Sequence, residues 1–254
     1  MRTMKLIAIA GAFALSMSPC QADWLQFRGT DSSGFVAADP RLPEILDEKN
    51  IAWKMPLPGR GLSSPIVIGD KLVVTCSSGV EQDRLHVLCF SSSDGALLWE
   101  RQFWATGRTM AHEKTCVAAP TPASDGERIF ALFSSNDLIC LDLDGGLLWL
   151  RGLTQDYPNA SNSLGLASSP VVVGDTLVVH IENDSQSFAA GIDTTTGLNR
   201  WRKDRTKRAN WSSPVVFGDR VVLQGSEGVD VLVPSTGEIE WRYGTGASTI
   251  PSSA

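Results

Sequence analysis

Arg60, Arg108, His112, Lys114, Asn162, Arg208 and Asn210, with Trp211 beside them, stand between the apolar runs of this chain rather than within them. Guanidinium and ammonium groups gathered on one surface hold carboxylates through charge-assisted hydrogen bonds. These residues are therefore the candidate binding set for an acidic loop of a partner or a small carboxylate ligand. His112-Glu113 offers two metal-ligand types, but no third ligand follows at a metal-binding spacing. His86 and His180 fall inside β-rich runs and read as ordinary sheet residues. The many serines recur in short openings ahead of apolar runs, with no base placed to activate them. No glycine-rich phosphate loop follows a strand and opens a helix. The sequence thus assigns no catalytic, cofactor-binding or metal-binding residue.

The elements that must position these side chains come from a repeat. Ser63-Ser64-Pro65, Ala118-Ala119-Pro120, Ser168-Ser169-Pro170 and Ser212-Ser213-Pro214 open four copies. Gly69-Asp70, Asp125-Gly126, Gly174-Asp175 and Gly218-Asp219 mark a first hairpin, where glycine takes positive φ without steric cost. Gly95, Gly145, Gly197 and Gly237 each precede a tryptophan by four residues: Trp99, Trp149, Trp201 and Trp241. The tryptophans are 50, 52 and 40 residues apart, which suits one propeller blade per copy. Each copy holds four short β-rich runs with turn chemistry between them, a four-stranded antiparallel meander. The expected fold is all-β: a β-propeller with about four blades present of seven or eight, near 63–101, 118–151, 168–202 and 212–242. Asn50 to Trp53 reads as the outer strand of a further blade, Leu42 to Glu48 as a short helical turn, and Ser252-Ser253-Ala254 as a fifth opening. Trp53, Trp99, Trp149, Trp201 and Trp241 are expected to be structural. An arc with open ends would expose apolar faces and self-associate.

The closing segment Gly191-Ile192-Asp193-Thr194-Thr195-Thr196-Gly197-Leu198-Asn199-Arg200-Trp201 resembles the pyrroloquinoline-quinone-type (PQQ-like) propeller repeat, of quinoprotein and BamB-like proteins, with Gly in place of its Ala. The resemblance covers about residues 50 to 254. The other copies are looser, with Ser91 and Val233 where Asp is expected. A quinoprotein dehydrogenase of this kind implies a vicinal disulfide, a tryptophan floor and Glu, Asn and Asp around calcium. This chain has no Cys-Cys pair, and no residue matches the calcium ligands. No cofactor is expected; PQQ and calcium belong to the alternative reading.

Composition limits the partners. The net charge is −6. Residues 1–22 carry Arg2 and Lys5 and no acid, then the apolar run Leu6 to Met17, then Cys20-Gln21-Ala22. This pattern is a secretory signal peptide cleaved near Ala22, too short to span a bilayer; a lipoprotein signal at Cys20 is disfavoured by Pro19. Removing it leaves 20 basic and 28 acidic residues, a net charge of −8, which argues against nucleic acid as a partner. Residues 23–254 form the propeller. Cys76, Cys89, Cys116 and Cys140 remain, an even number that permits disulfides in an exported protein. Cys89 and Cys140 hold equivalent places in two copies and are expected to pack as free thiols. The resemblance points to an exported, non-catalytic scaffold or protein-interaction module of the periplasm or cell envelope. A PQQ-dependent dehydrogenase and a glycan- or ligand-binding propeller are the alternatives.

Overall fold

The computed structural model describes residues 23–36, 43, 45, 47–160, 164–247 and 250–253. The signal-peptide segment and Asn162 lie outside them. Among the described residues, sixteen strands form four antiparallel sheets, each a meander in sequence order. The first blade contains β1 (Ile66–Ile68), β2 (Lys71–Ser78), β3 (Arg84–Ser91) and β4 (Leu97–Trp104). The second contains β5 (Ala123–Ser124), β6 (Arg128–Leu132), β7 (Asp137–Asp142) and β8 (Leu147–Gly152). The third contains β9 (Val171–Val173), β10 (Thr176–Ile181), β11 (Phe188–Asp193) and β12 (Asn199–Asp204). The fourth contains β13 (Val215–Phe217), β14 (Arg220–Gly225), β15 (Gly228–Leu232) and β16 (Ile239–Tyr243). The first hairpins turn at the expected glycines, all with positive φ: Gly69, Gly126, Gly174 and Gly218.

Side chains alternate across a strand, so each sheet offers one face to the preceding blade and one to the next. Among the described residues, three apolar cores lie between blades. One joins the first and second blades around Val73, Val87, Cys89, Ala131 and Ile139. A second joins the second and third around Phe130, Leu138, Leu177 and Phe188. A third joins the third and fourth around Val178, Trp201, Val221 and Leu223. Both faces of β10 are covered, which is why its six residues are all buried.

The glycine–tryptophan spacing is a staple between blades. The Trp99 indole lies on Gly145, and its N–H donates to Leu143 O at 3.0 Å. Trp149 lies on Gly197 and donates to Thr194 O at 3.0 Å. Trp201 lies on Gly237 and donates to Pro234 O at 2.6 Å. Each of these glycines has positive φ, and a Cβ on any of them would sit within 2.8 Å of the indole. Glycine thus serves both the turn and the close approach. Trp53 repeats the contact on Gly95, with its N–H to Ser92 O at 3.1 Å. Residues Asn50 to Trp53 are nevertheless not a strand: among the described residues no backbone ladder pairs with them, and the Trp53 indole docks the segment on the first blade. Of the expected helical turn at Leu42 to Glu48, Leu42, Glu44 and Leu46 lie outside the described residues; Glu48–Asn50 forms one 3-10 turn capped by the Asp47 carboxylate.

A second set of cross-blade bonds runs near the axis. Ser64 N donates to Thr121 Oγ1 at 3.0 Å, Thr121 N to Ser169 Oγ at 2.9 Å, Ser169 N to Ser213 Oγ at 2.9 Å, and Ser213 N to Ser252 Oγ at 2.9 Å. This register corrects two openings. The second copy opens on Thr121-Pro122, two residues after the Ala119-Pro120 reading, because Thr121 carries the hydroxyl that the neighbour needs. At 252, Ser252 takes the hydroxyl place, so Ser253 stands where the other copies have proline.

Residues 23–34 form a strap across all four inner strands. Trp24 exchanges both backbone bonds with Val67 at 2.9 Å. Leu25 O accepts from Ser124 N at 2.8 Å, Gln26 Oε1 from Val172 N at 3.1 Å, and Ser32 Oγ from Val216 N at 3.1 Å. Strand edges left bare would invite pairing with other chains, and the strap satisfies at least one edge group in each blade.

Candidate functional site

The turns β2–β3, β6–β7, β10–β11 and β14–β15 share one face of the arc with the connectors that lead from each outer strand to the next inner strand. Every candidate binding residue lies on those connectors, or just before the first blade in the case of Arg60. Their fates differ. Exposed Arg60 is tied to the connector between the first and second blades, with Nη2 donating to Glu113 O at 2.6 Å, and this brings it beside His112 and Lys114. His112 Nδ1 accepts from Lys114 N at 3.1 Å, so the ring closes a local turn. Arg108 lies apart, in an open groove with Glu81, Gln82 and Met110. Arg208 is exposed on the connector between the third and fourth blades. Asn162 falls outside the described residues.

Asn210 and Trp211 have other work. Trp211 donates to Gly165 O at 2.9 Å and lines a cavity of about 350 Å³ at the axis, with Phe27 and Arg28 of the strap and the hydroxyl-bearing Thr121, Ser169 and Ser213. Asn210 is buried, and its amide donates to Glu182 Oε2 at 2.7 Å and Gln224 O at 2.8 Å. Glu182 is the centre of a charged network that the sequence did not disclose. Arg205 Nε donates to Glu182 Oε1 at 2.7 Å and its Nη1 to Asp230 Oδ2 at 2.5 Å. Arg242 Nε donates to Asp230 Oδ1 at 2.5 Å, and Nη2 to Oδ2 at 3.1 Å. His180 Nε2 lies 2.8 Å from Glu182 Oε1. Burial alone would raise the Glu182 pKa, but His180, Arg205 and Asn210 outweigh it and bring it down to about 2. Burial is likewise outweighed at Asp230, where Arg242 and Arg205 hold the carboxyl below its ordinary value. Only Asn210 gave a sequence signal for this network. Its other members are acids and bases on, or just beyond, strands β10, β12, β15 and β16 of two blades, with no shared spacing.

His86 is a sheet residue, as expected, but not an idle one: its ring bridges Ser78 Oγ and Glu100 Oε1, each at 2.7 Å. Cys76, Cys89, Cys116 and Cys140 are free and buried. Burial pushes the Cys89 thiol up to about 11 and the Cys140 thiol up to about 12. Cys89 and Cys140 pair across the sheet with Trp99 and Trp149, at the place where Gly191 faces Trp201.

A quinone held with calcium would need acidic ligands gathered at the axis. Among the described residues no group of three His, Cys, Asp or Glu side chains is placed to hold a metal ion. The strap's Phe27 and Arg28 instead line the axial mouth. The described residues do not fit that pair.

A sequence profile of the family described as outer membrane protein assembly factor BamB matches residues 31–179 and 86–253. The chain belongs to that family. An outer membrane protein assembly factor BamB from Alkalilimnicola ehrlichii is 25% identical over 197 residues, 72% of this chain and 43% of the relative. The BamB crystal structure from Moraxella catarrhalis superposes with a TM-score of 0.54 at 17% identity, over 79% of this chain and 56% of that one. The quinohemoprotein alcohol dehydrogenase of Comamonas testosteroni gives 0.65 at 15% identity, over 90% and 42%. The BamB-family chain thus spans about half the length of these relatives. The two solved structures establish the propeller fold and nothing more, since one fold hosts many functions. No helix among the described residues is long and apolar enough to cross a membrane.

Proposed function

We propose that this BamB-family chain is an exported, non-catalytic propeller of the periplasm or cell envelope that docks a protein partner on its connector face. The observation that carries this reading is the placement of the exposed bases: Arg60, Arg108, Lys114 and Arg208 all stand at that face of an otherwise acidic protein. Loops on a rigid scaffold are a usual home for binding residues. The Alkalilimnicola relative, an outer membrane protein assembly factor by name, supports an envelope partner. Crosslinking in the native envelope identifies the partner, and titration then measures its affinity. Replacing Arg60, Arg108 and Arg208 together by Ala should weaken it at least tenfold; each lost charge-assisted bond is worth roughly 1.5–3 kcal/mol. Unchanged affinity would move the site off this face. No bound quinone is required in this reading, and calcium-dependent dye reduction with added quinone would overturn that part. Fractionation of cells carrying the chain with and without residues 1–22 tests export.

A further inference from the structure

The network around Glu182 walls a cleft of about 550 Å³ between the third and fourth blades. Its hydrogen-bonding groups are unevenly engaged. The carboxylate oxygens of Glu182 and Asp230 all accept from side chains of the network. The donors are not all engaged. Among the described residues, Arg205 Nη2 and Arg242 Nη1 have no acceptor, and the Ser226 and Thr206 hydroxyls lining the cleft donate to none. Asp204, at the rim, is taken by Arg202 at 2.8 Å. The two buried carboxylates of the cleft thus have no free acceptor, and its remaining acid is Glu227, exposed at the surface and acting on Arg242 through space, so the open positions deeper in the cleft are donors.

The backbone is shaped for this. A Cβ on Gly225 would fall 2.7 Å from Arg205 Nη2, so glycine there makes room for the guanidinium. A Cβ on Gly246 would fall 2.7 Å from Ser226 O. Gly228, at φ +140, has no room for one against Tyr243 O. The wall stays backbone-thin where the donors point. Asp230 fixes both arginines from behind, so their forks are oriented before anything binds, and little side-chain entropy is left to lose.

We propose that this cleft is a carboxylate-binding site, with Arg205 and Arg242 as the recognising groups. The carboxylate comes from a free dicarboxylate or from an acidic side chain of a protein. None of Arg60, Arg108 and Arg208 takes part, so this site and the docking face above can fail separately.

Calorimetric titration of the full chain tests it with four probes: succinate, its neutral analogue succinamide, a capped hexaglutamate and a capped hexaglutamine. Succinate or hexaglutamate should bind, and the neutral partners should not. Binding of succinate assigns a free ligand, and binding of hexaglutamate alone assigns a protein side chain. Arg242→Gln should weaken the binding about tenfold, the loss of a charge-assisted bond. Arg242 is 58% exposed, and Arg205 still neutralises Asp230 without it, so the variant should fold. Should it not, Arg242→Lys keeps the charge and loses the fork, and should weaken binding by a similar factor. The amide signals of Gly244 and Gly246, which line the cleft, should shift on titration. No binding of either carboxylate, equal binding of the neutral analogues, undiminished binding by the folded variant, or shifts confined to other residues would each overturn the proposal.

Discussion

Trp201 and Trp241 hold the same place in the repeat, each four residues after a left-handed glycine, and meet opposite surroundings. Trp201 is 9% exposed and lies on Gly237 of the next blade. Trp241 is 55% exposed, and among the described residues its ring stacks on Tyr243 alone, at 6.3 Å between ring centroids. The rows behind them differ likewise. Val171, Val178, Gly191 and Trp201 face each other across the third blade, and the valines are fully buried. Val215, Val222, Val231 and Trp241 form the equivalent row in the fourth, where Val222 and Val231 are half-buried. The motif therefore specifies half of a contact. The other half is a glycine turn on the following blade, so one signature can be a structural anchor in one place and an exposed ring in another.

The sharpest test is to cut both rings. Trp201→Ala should cost roughly 3–5 kcal/mol in urea unfolding, the usual loss for a packed tryptophan. Trp241→Ala should cost less than about 1 kcal/mol, as a surface change does. Equal losses would break the comparison and show that Trp241 is anchored by contacts outside the described residues.

The same blade junction carries the Glu182 network, and its contribution depends on pH. The folded-state pKa of Glu182 is about 2, against an ordinary 4.5. The group is depressed, so its stabilisation is complete above pH 4.5 and is lost as pH falls toward 2. The full loss is at most about 3 kcal/mol. Asp230, shifted in the same direction, adds to the slope. Unfolding free energies followed from neutral to low pH should fall steeply, and Glu182→Gln should flatten part of that fall. An unchanged slope in the variant would mean that the network does not hold the two blades together.

How much of this could be read beforehand follows from how local each signal is. The blades, the first hairpins and the tryptophan spacing were legible because turns and alternating strands are set by neighbours in sequence. The second opening was displaced because Pro120 and Pro122 both offer the motif's proline, and only the cross-blade bond to Thr121 chooses between them. The strap was not legible. Trp24 to Ser32 pairs with strands up to 184 residues away, through one or two bonds per blade that leave no periodic pattern. The described candidate bases stand on connectors between strands, or just before the first blade in the case of Arg60, where their sequence positions put them. That Asn210 is internal while Arg208 is exposed depends on Glu182 and Gln224, which belong to other segments.

Glycines at the same junction separate packing from backbone conformation. Gly191 has ordinary φ, but a Cβ there would sit 2.2 Å from Trp201 Nε1. Gly191→Ala should cost roughly 1–3 kcal/mol by overpacking. Gly174 has φ +59 and open space around it, so Gly174→Ala should cost only the left-handed penalty, about 1–2 kcal/mol. In the double variant Gly191→Ala, Trp201→Ala the Gly191 term should vanish. Its persistence would show that something other than the indole fills the space beside Gly191.

The smallest effect expected belongs to the hydroxyl relay, and it too divides the middle of the arc from its edge. Ser169 Oγ accepts the Thr121 amide, and both residues are only 2% exposed. Removing the hydroxyl leaves a buried donor without a partner, which should cost about 1 kcal/mol. Ser252 makes the same bond to the Ser213 amide but is half-buried. Water can reach that amide when the hydroxyl is gone, so Ser252→Ala should cost a few tenths of a kcal/mol at most. Amide hydrogen exchange reads the difference residue by residue. Thr121 should lose protection in Ser169→Ala, while Ser213 should change little in Ser252→Ala because it is less protected from the start. If both amides lose protection alike, the fourth blade is as well sealed as the third, and the exposure of Trp241 reflects that single side chain rather than an open face.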